Sequence, residues 1–169
     1  MKPALLVVDV QKKFFGIKPT MTQSLDDAIV LINAAIKAFR EKGLPVICVQ
    51  HMNEKEGLAP GEEEFDSPEK LDILPSDVHI HKTYGNSFNK TSLEEELRGL
   101  GVDTVIVTGF CAEYCVLSTY RGALDRDLTP IILRGSLASD KLKNIKFVES
   151  ISDVISIGAL KKMLENRVP

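Results

Sequence analysis

Short apolar runs alternate along this chain with longer stretches whose apolar residues recur every third or fourth position. The run Ala4 to Val8 ends at Asp9 and reads as a buried strand with a carboxylate at its C-terminal end. From Ser24 to Lys42, residues Leu25, Ala28, Ile29, Ile32, Ala35, Ile36 and Phe39 fall on one helical face. Ser24 is placed there as N-cap, with Asp27 at N3, and Gly43 as the C-terminal stop. Pro45 to Val49 is the next strand, and Cys48 within it reads as a small buried hydrophobe. Val78 to His81 alternates and reaches Lys82, a third strand ending in an ionisable group. Thr91-Ser-Leu-Glu94 is a capping box that opens a helix with Leu93, Leu97 and Leu100 inward and Gly101 at its end. Thr104 to Thr108 are all β-branched, a buried strand broken by Gly109. From about Ala112 the residues Val116, Tyr120 and Ala123 or Leu124 share a helical face. Pro130 to Leu133 is a fifth strand; a helix over 140–151, a short strand Val154 to Ser156 and a closing helix Gly158 to Asn166 complete the pattern.

Strands alternating with helices over the whole length predict an α/β protein. The expected architecture is a single-domain three-layer α/β/α stack over residues 1–169, with a six-stranded, mainly parallel sheet and helices on both faces. No repeat or linker interrupts it. The irregular stretch 52–77 carries Gly57, Pro60, Gly61, Pro68, Pro75 and the acidic run Glu62 to Glu64. It is either a solvated loop or a cover over a site at the sheet edge.

Composition narrows the function classes. A hydrophobic content of 44% and a charged content of 27% describe a globular chain. The net charge of −3, with both signs intermixed, argues against nucleic acid or an anionic membrane as the main partner. The apolar runs are far too short to span a bilayer, and Met1-Lys2-Pro3 leads directly into a strand-like run rather than a secretory leader. Three cysteines without framework spacing fit a reducing compartment, so a cytoplasmic protein is expected.

Three strand ends carry groups able to do chemistry: Asp9, Lys82 and the turn with Cys115. A parallel sheet lines up its C-terminal ends along one edge, where distant residues converge. Cys115 sits in or near the first turn of a helix that follows a buried strand, a position that favours a thiolate and an oxyanion. A nearby ammonium lowers a thiol's pKa further, and a carboxylate can take the thiol proton and return it to a leaving amine. Each residue taken alone has a plainer reading: Asp9 as a cap, Lys82 as a surface lysine, Cys115 as core.

The three motifs together are specific. Leu5-Leu-Val-Val-Asp-Val-Gln11 resembles the opening strand motif of the isochorismatase-like cysteine hydrolases, which include nicotinamidases. His81-Lys-Thr-Tyr-Gly-Asn-Ser-Phe88 resembles their lysine motif, and Val107-Thr-Gly-Phe-Cys-Ala-Glu-Tyr-Cys-Val116 their nucleophile motif. The motifs occur in the family's order, and the resemblance covers nearly the whole chain. It implies a triad of Asp9, Lys82 and Cys115, a cis peptide at Phe110–Cys111 in the oxyanion turn, and a homo-oligomer, dimer or tetramer. The implied reaction is hydrolysis of a small-molecule amide through a thioester, releasing ammonia or an amine. Gln11, Phe14, Tyr84, Phe88 and Tyr114 are the candidates for lining the substrate pocket, each with a packing role as the alternative. Nicotinamidases of this family usually bind a metal through an Asp-x-His segment, but Val49-Gln-His-Met-Asn53 lacks that Asp. His51, His79 and His81 do not show ligand spacing, so no catalytic metal and no other cofactor is expected. The family's frequent Thr three residues before the nucleophile is Ala112 here. Rival readings are vinyl-ether hydrolysis, against which the cysteine tilts, and a non-catalytic partner-binding protein, against which the intact triad tilts.

Overall fold

Six strands form one sheet in the order β3-β2-β1-β4-β5-β6, and every neighbouring pair is parallel. They are β1 (Pro3–Val8), β2 (Val46–His51), β3 (Val78–Lys82), β4 (Thr104–Phe110), β5 (Thr129–Ala138) and β6 (Val154–Ile155). The α-helices between them are α1 (Pro19–Glu41), α2 (Leu93–Gly99), α3 (Leu117–Leu124) and α4 (Leu142–Ser150), and α5 (Ile157–Glu165) follows β6. The computed structural model describes residues 1–166, so the last three residues of the expected 1–169 unit lie outside the described part.

The central strands are apolar on both faces because both are covered. Leu5 and Val7 of β1 point into one core, with Leu25, Ile32, Ile36 and Phe39 of α1 and Leu160 of α5. Ala4, Leu6 and Val8 point into the other, with Leu93 and Leu97 of α2, Tyr120 and Ala123 of α3, and Val148 of α4. The direction of strand addition reverses at β1, whose neighbours are β2 and β4. A crevice opens at the C-terminal edge of a doubly wound sheet at such a point.

Several boundaries differ from the sequence expectation. Helix α1 starts at Pro19, five positions before Ser24, with Pro at its first turn, where the missing N–H costs nothing. Ser24 is not a cap: its buried Oγ accepts from the Ser139 backbone N–H at 3.1 Å. At α2, Ser92 caps no backbone N–H with its side chain, whereas Thr91 Oγ1 accepts from Leu93 N and donates to Ser87 O. Strand β5 runs to Ala138 rather than stopping at Leu133, because Gly135 at φ +78° absorbs a bulge and the strand resumes beside Gly109 and Phe110. Leu124 is exposed, so Ala123 carries the inner face of α3.

Candidate active site

Strand register sets the site. Val8 pairs with Val49 on one side and Gly109 on the other, so Asp9 leaves the sheet between the ends of β2 and β4. Gly109 is required there: at φ +111°, a Cβ on it would lie 2.1 Å from Val8 O. Asp9 itself turns out of the strand at φ +53°, a left-handed backbone that Asp tolerates better than most residues. At the neighbouring pair of ends, His51 and Lys82 are cross-strand partners in register.

Lys82 Nζ donates to Asp9 Oδ2 at 2.7 Å, and both side chains are buried, at 0% and 2% exposure. His51 Nδ1 lies 3.4 Å from the same ammonium. Ligand-type atoms of Asp9, His51 and Cys115 all lie within 4.8 Å of one another. The three candidate catalytic residues are thus brought together, with His51 as a fourth member. Cys115 stands in a five-residue π-helical turn, Ala112–Val116, that precedes α3, rather than in a regular first turn. Such turns close their hydrogen bonds over five residues rather than four, as Val116 N does to Cys111 O, and recur at functional sites. The Phe110–Cys111 peptide bond is cis.

Charge around the thiol differs from the simple expectation of a lowered pKa. Burial pushes Cys115 up to about 12; the Asp9 charge adds to this and Lys82 opposes it. Burial likewise raises the Asp9 carboxyl against the lowering effects of Lys82, Cys115 and His51. The resting group is therefore a thiol beside a strengthened base, and deprotonation has to accompany attack. His51 is held below its ordinary value by burial first and by the Lys82 charge second, so its imidazole is neutral at pH 7.

A cavity of about 370 Å³ opens over this group. Phe14 and Phe110 form one wall, their rings 4.7 Å apart, and Tyr114 stands exposed at the mouth. Glu113, Asp140 and Lys141 make the polar rim. Glu113 accepts from Ser139 Oγ at 2.8 Å, from Cys111 Sγ at 3.0 Å and from Asn144, tying the nucleophile turn to the segment after β5. Burial opposes its charge, yet these donors hold its carboxyl below the usual range. Burial and the Glu113 contact push Cys111 up to about 12, so its thiol stays protonated and donates. Ser139, Asp140 and Lys141 were hidden from sequence because the fifth strand was expected to end at Leu133, whereas the bulged β5 continues to Ala138 and delivers them.

Three expected pocket residues lie elsewhere. Gln11 is fully buried and serves backbone groups: its Oε1 accepts from His51 N at 2.8 Å, and its Nε2 donates to His51 O and Phe65 O, both at 3.0 Å. Phe88 is packed in the core beneath Arg126, since its position after the Lys82 loop turns it toward α2. Tyr84 is exposed and its hydroxyl accepts from Lys90. Phe14 and Tyr114 do line the cavity. His79 and His81 border a separate cleft with Lys12 and Gln50.

Asp9, His51 and Cys115 have the atom types of a metal site, but the set does not fit a catalytic divalent ion. The Lys82 ammonium already lies 2.7 Å from Asp9 and 3.4 Å from His51, placing a positive charge against any cation held there.

The chain belongs to the isochorismatase family, with residues 3–142 matching its Isochorismatase domain. It is 36% identical over 122 residues to YrdC, an uncharacterized isochorismatase family protein of Bacillus subtilis. That match covers 71% of this chain and 65% of YrdC, so it spans just under two thirds of that relative's length. It is 26% identical over 172 residues to the ureidoacrylate amidohydrolase RutB of Pseudomonas savastanoi pv. phaseolicola, covering 79% of this chain and 70% of RutB. The fold superposes on the crystal structure of N-carbamoylsarcosine amidase from Thermoplasma acidophilum with a TM-score of 0.80 at 25% identity, over 93% of this chain and 97% of that one. No described helix is long and apolar enough to cross a membrane.

Proposed function

We propose that this isochorismatase-family hydrolase cleaves a small-molecule amide C–N bond by covalent catalysis at Cys115. The observation that carries the reading is the buried Asp9–Lys82 ion pair set beside the half-buried thiol under a solvent-accessible cavity. Similarity to RutB and to N-carbamoylsarcosine amidase, both named for amide hydrolysis, supports the bond type.

In this mechanism Asp9 takes the thiol proton as Cys115 Sγ attacks the carbonyl carbon. Lys82 balances the negative charge that moves between Asp9, the sulfur and the substrate. Backbone N–H groups of Cys111 and Cys115 hold the oxyanion. The tetrahedral adduct collapses, the C–N bond breaks, and the amine leaves with the proton from Asp9. A water then loses a proton to Asp9 and attacks the thioester carbonyl. The acid departs and the sulfur regains its proton. Phe14 and Phe110 give the acyl group an apolar wall, which suits a compact, partly planar substrate.

The test is ammonia release across a panel of small primary amides and carbamoyl compounds, with Cys115→Ala as blank. Turnover of at least one compound by the native chain, falling at least about a thousandfold in the variant, is expected. Turnover retained by a folded Cys115→Ala protein rules out the covalent route.

A further inference from the structure

We propose that His51 is a positioning residue for Lys82: its Nδ1 is the second acceptor of the buried ammonium and fixes the direction in which that ammonium serves Cys115. The inference rests on the catalytic part given above to Lys82.

A lysine ammonium has three donors and no acceptor, and one left unpaired in a dry interior costs free energy. The Lys82 side chain is 0% exposed. Among the described residues, its hydrogen-bond acceptors are Asp9 Oδ2 at 2.7 Å and His51 Nδ1 at 3.4 Å, the second long for a hydrogen bond but within reach of one. With Asp9 alone as partner, the ammonium is free to swing about its last bonds. With a second acceptor on the neighbouring strand its direction is fixed, and the remaining N–H is left for the sulfur side of the site.

The support behind His51 is equally specific. The fully buried Gln11 amide spans its backbone, accepting from the N–H and donating to the C=O. This holds the end of β2 in register with Lys82, its partner on β3. The chemistry of the pair also fixes the tautomer. Lys82 can only donate, so Nδ1 accepts and the ring proton resides on Nε2. The neutral state that burial and Lys82 favour is the state this role requires.

The experiment uses protein labelled with nitrogen-15 at histidine and long-range proton–nitrogen correlation at pH 7.5. The expected His51 signature is a neutral ring with unprotonated Nδ1 and protonated Nε2. An imidazolium, or the Nδ1–H tautomer, overturns the proposal. Alongside it, iodoacetamide serves as the probe of Cys115 reactivity. His51→Asn, whose side-chain oxygen can replace Nδ1, is expected to alkylate at Cys115 within about threefold of the native rate. His51→Leu is expected to slow at least about tenfold, the cost of one charge-assisted hydrogen bond, with an unchanged circular dichroism spectrum. A native rate in a folded His51→Leu protein, or loss in both variants alike, also overturns it. The nuclear magnetic resonance arm needs no substrate, so a failed amide screen would refute the proposed function and leave this bond to be judged separately.

Discussion

At the scale of single residues, the site is governed by one buried charge pair and by thiols kept protonated. Asp9→Asn leaves the Lys82 ammonium buried without a counter-charge. A stability loss of about 3–5 kcal/mol in urea unfolding is expected. The double change Asp9→Leu with Lys82→Met should cost less than the single one, because it removes both charges; a larger loss would show that the pair is strongly net stabilising. Cys48 offers a cleaner reading of burial. It is 2% exposed, and burial pushes its thiol from 9.0 up to about 12. The folded state therefore holds that proton between pH 9 and about 12, where the unfolded chain releases it. Stability falls as pH rises through that window. The drop in urea midpoint from pH 8 to pH 10 is expected to be smaller in Cys48→Ala than in the native protein; equal drops would refute the assignment.

At the scale of elements, the close approach of β4 to β1 is the least forgiving feature. Gly109→Ala places a Cβ 2.1 Å from Val8 O in a backbone conformation that alanine rarely adopts. The strands must separate where Asp9 leaves the sheet. A loss of about 3 kcal/mol or more is expected from thermal unfolding. Element type was legible wherever the hydrophobic period ran uninterrupted: Leu25 to Phe39 for α1, Ala4 to Val8 for β1, Thr104 to Thr108 for β4. Element ends were not, because they depend on tertiary partners. Ser24 has the chemistry of a cap, but its hydroxyl is engaged by Ser139, 115 positions away. Gly135 has the chemistry of a break, but the neighbouring β4 provides a ladder for β5 to rejoin.

At the scale of the whole molecule, the parallel sheet was legible from the alternation of elements, and with it the edge on which Asp9, Lys82 and Cys115 meet. Family membership follows from residues 3–142. The pocket walls were harder to read. An aromatic residue near a motif has no direction until the core is packed, and Phe88 went inward while Phe14 met Phe110. The partner of Gln11 was equally hidden, since it is the backbone of β2 rather than a ligand.

The strand order has a practical consequence for dissecting this protein. Residues 54–57 and 60–64 are exposed, and a cut there yields one fragment with Asp9 and His51 and another with Lys82 and Cys115. In the sheet these fragments are interleaved, because β1 and β2 of the first lie between β3 and β4 of the second. Neither piece alone can assemble the reactive cluster. Co-expressed halves fused to a pair of interacting proteins would report that encounter as amide turnover, with none from either half by itself. Turnover by the C-terminal half alone would show that the cluster does not need β1 and β2.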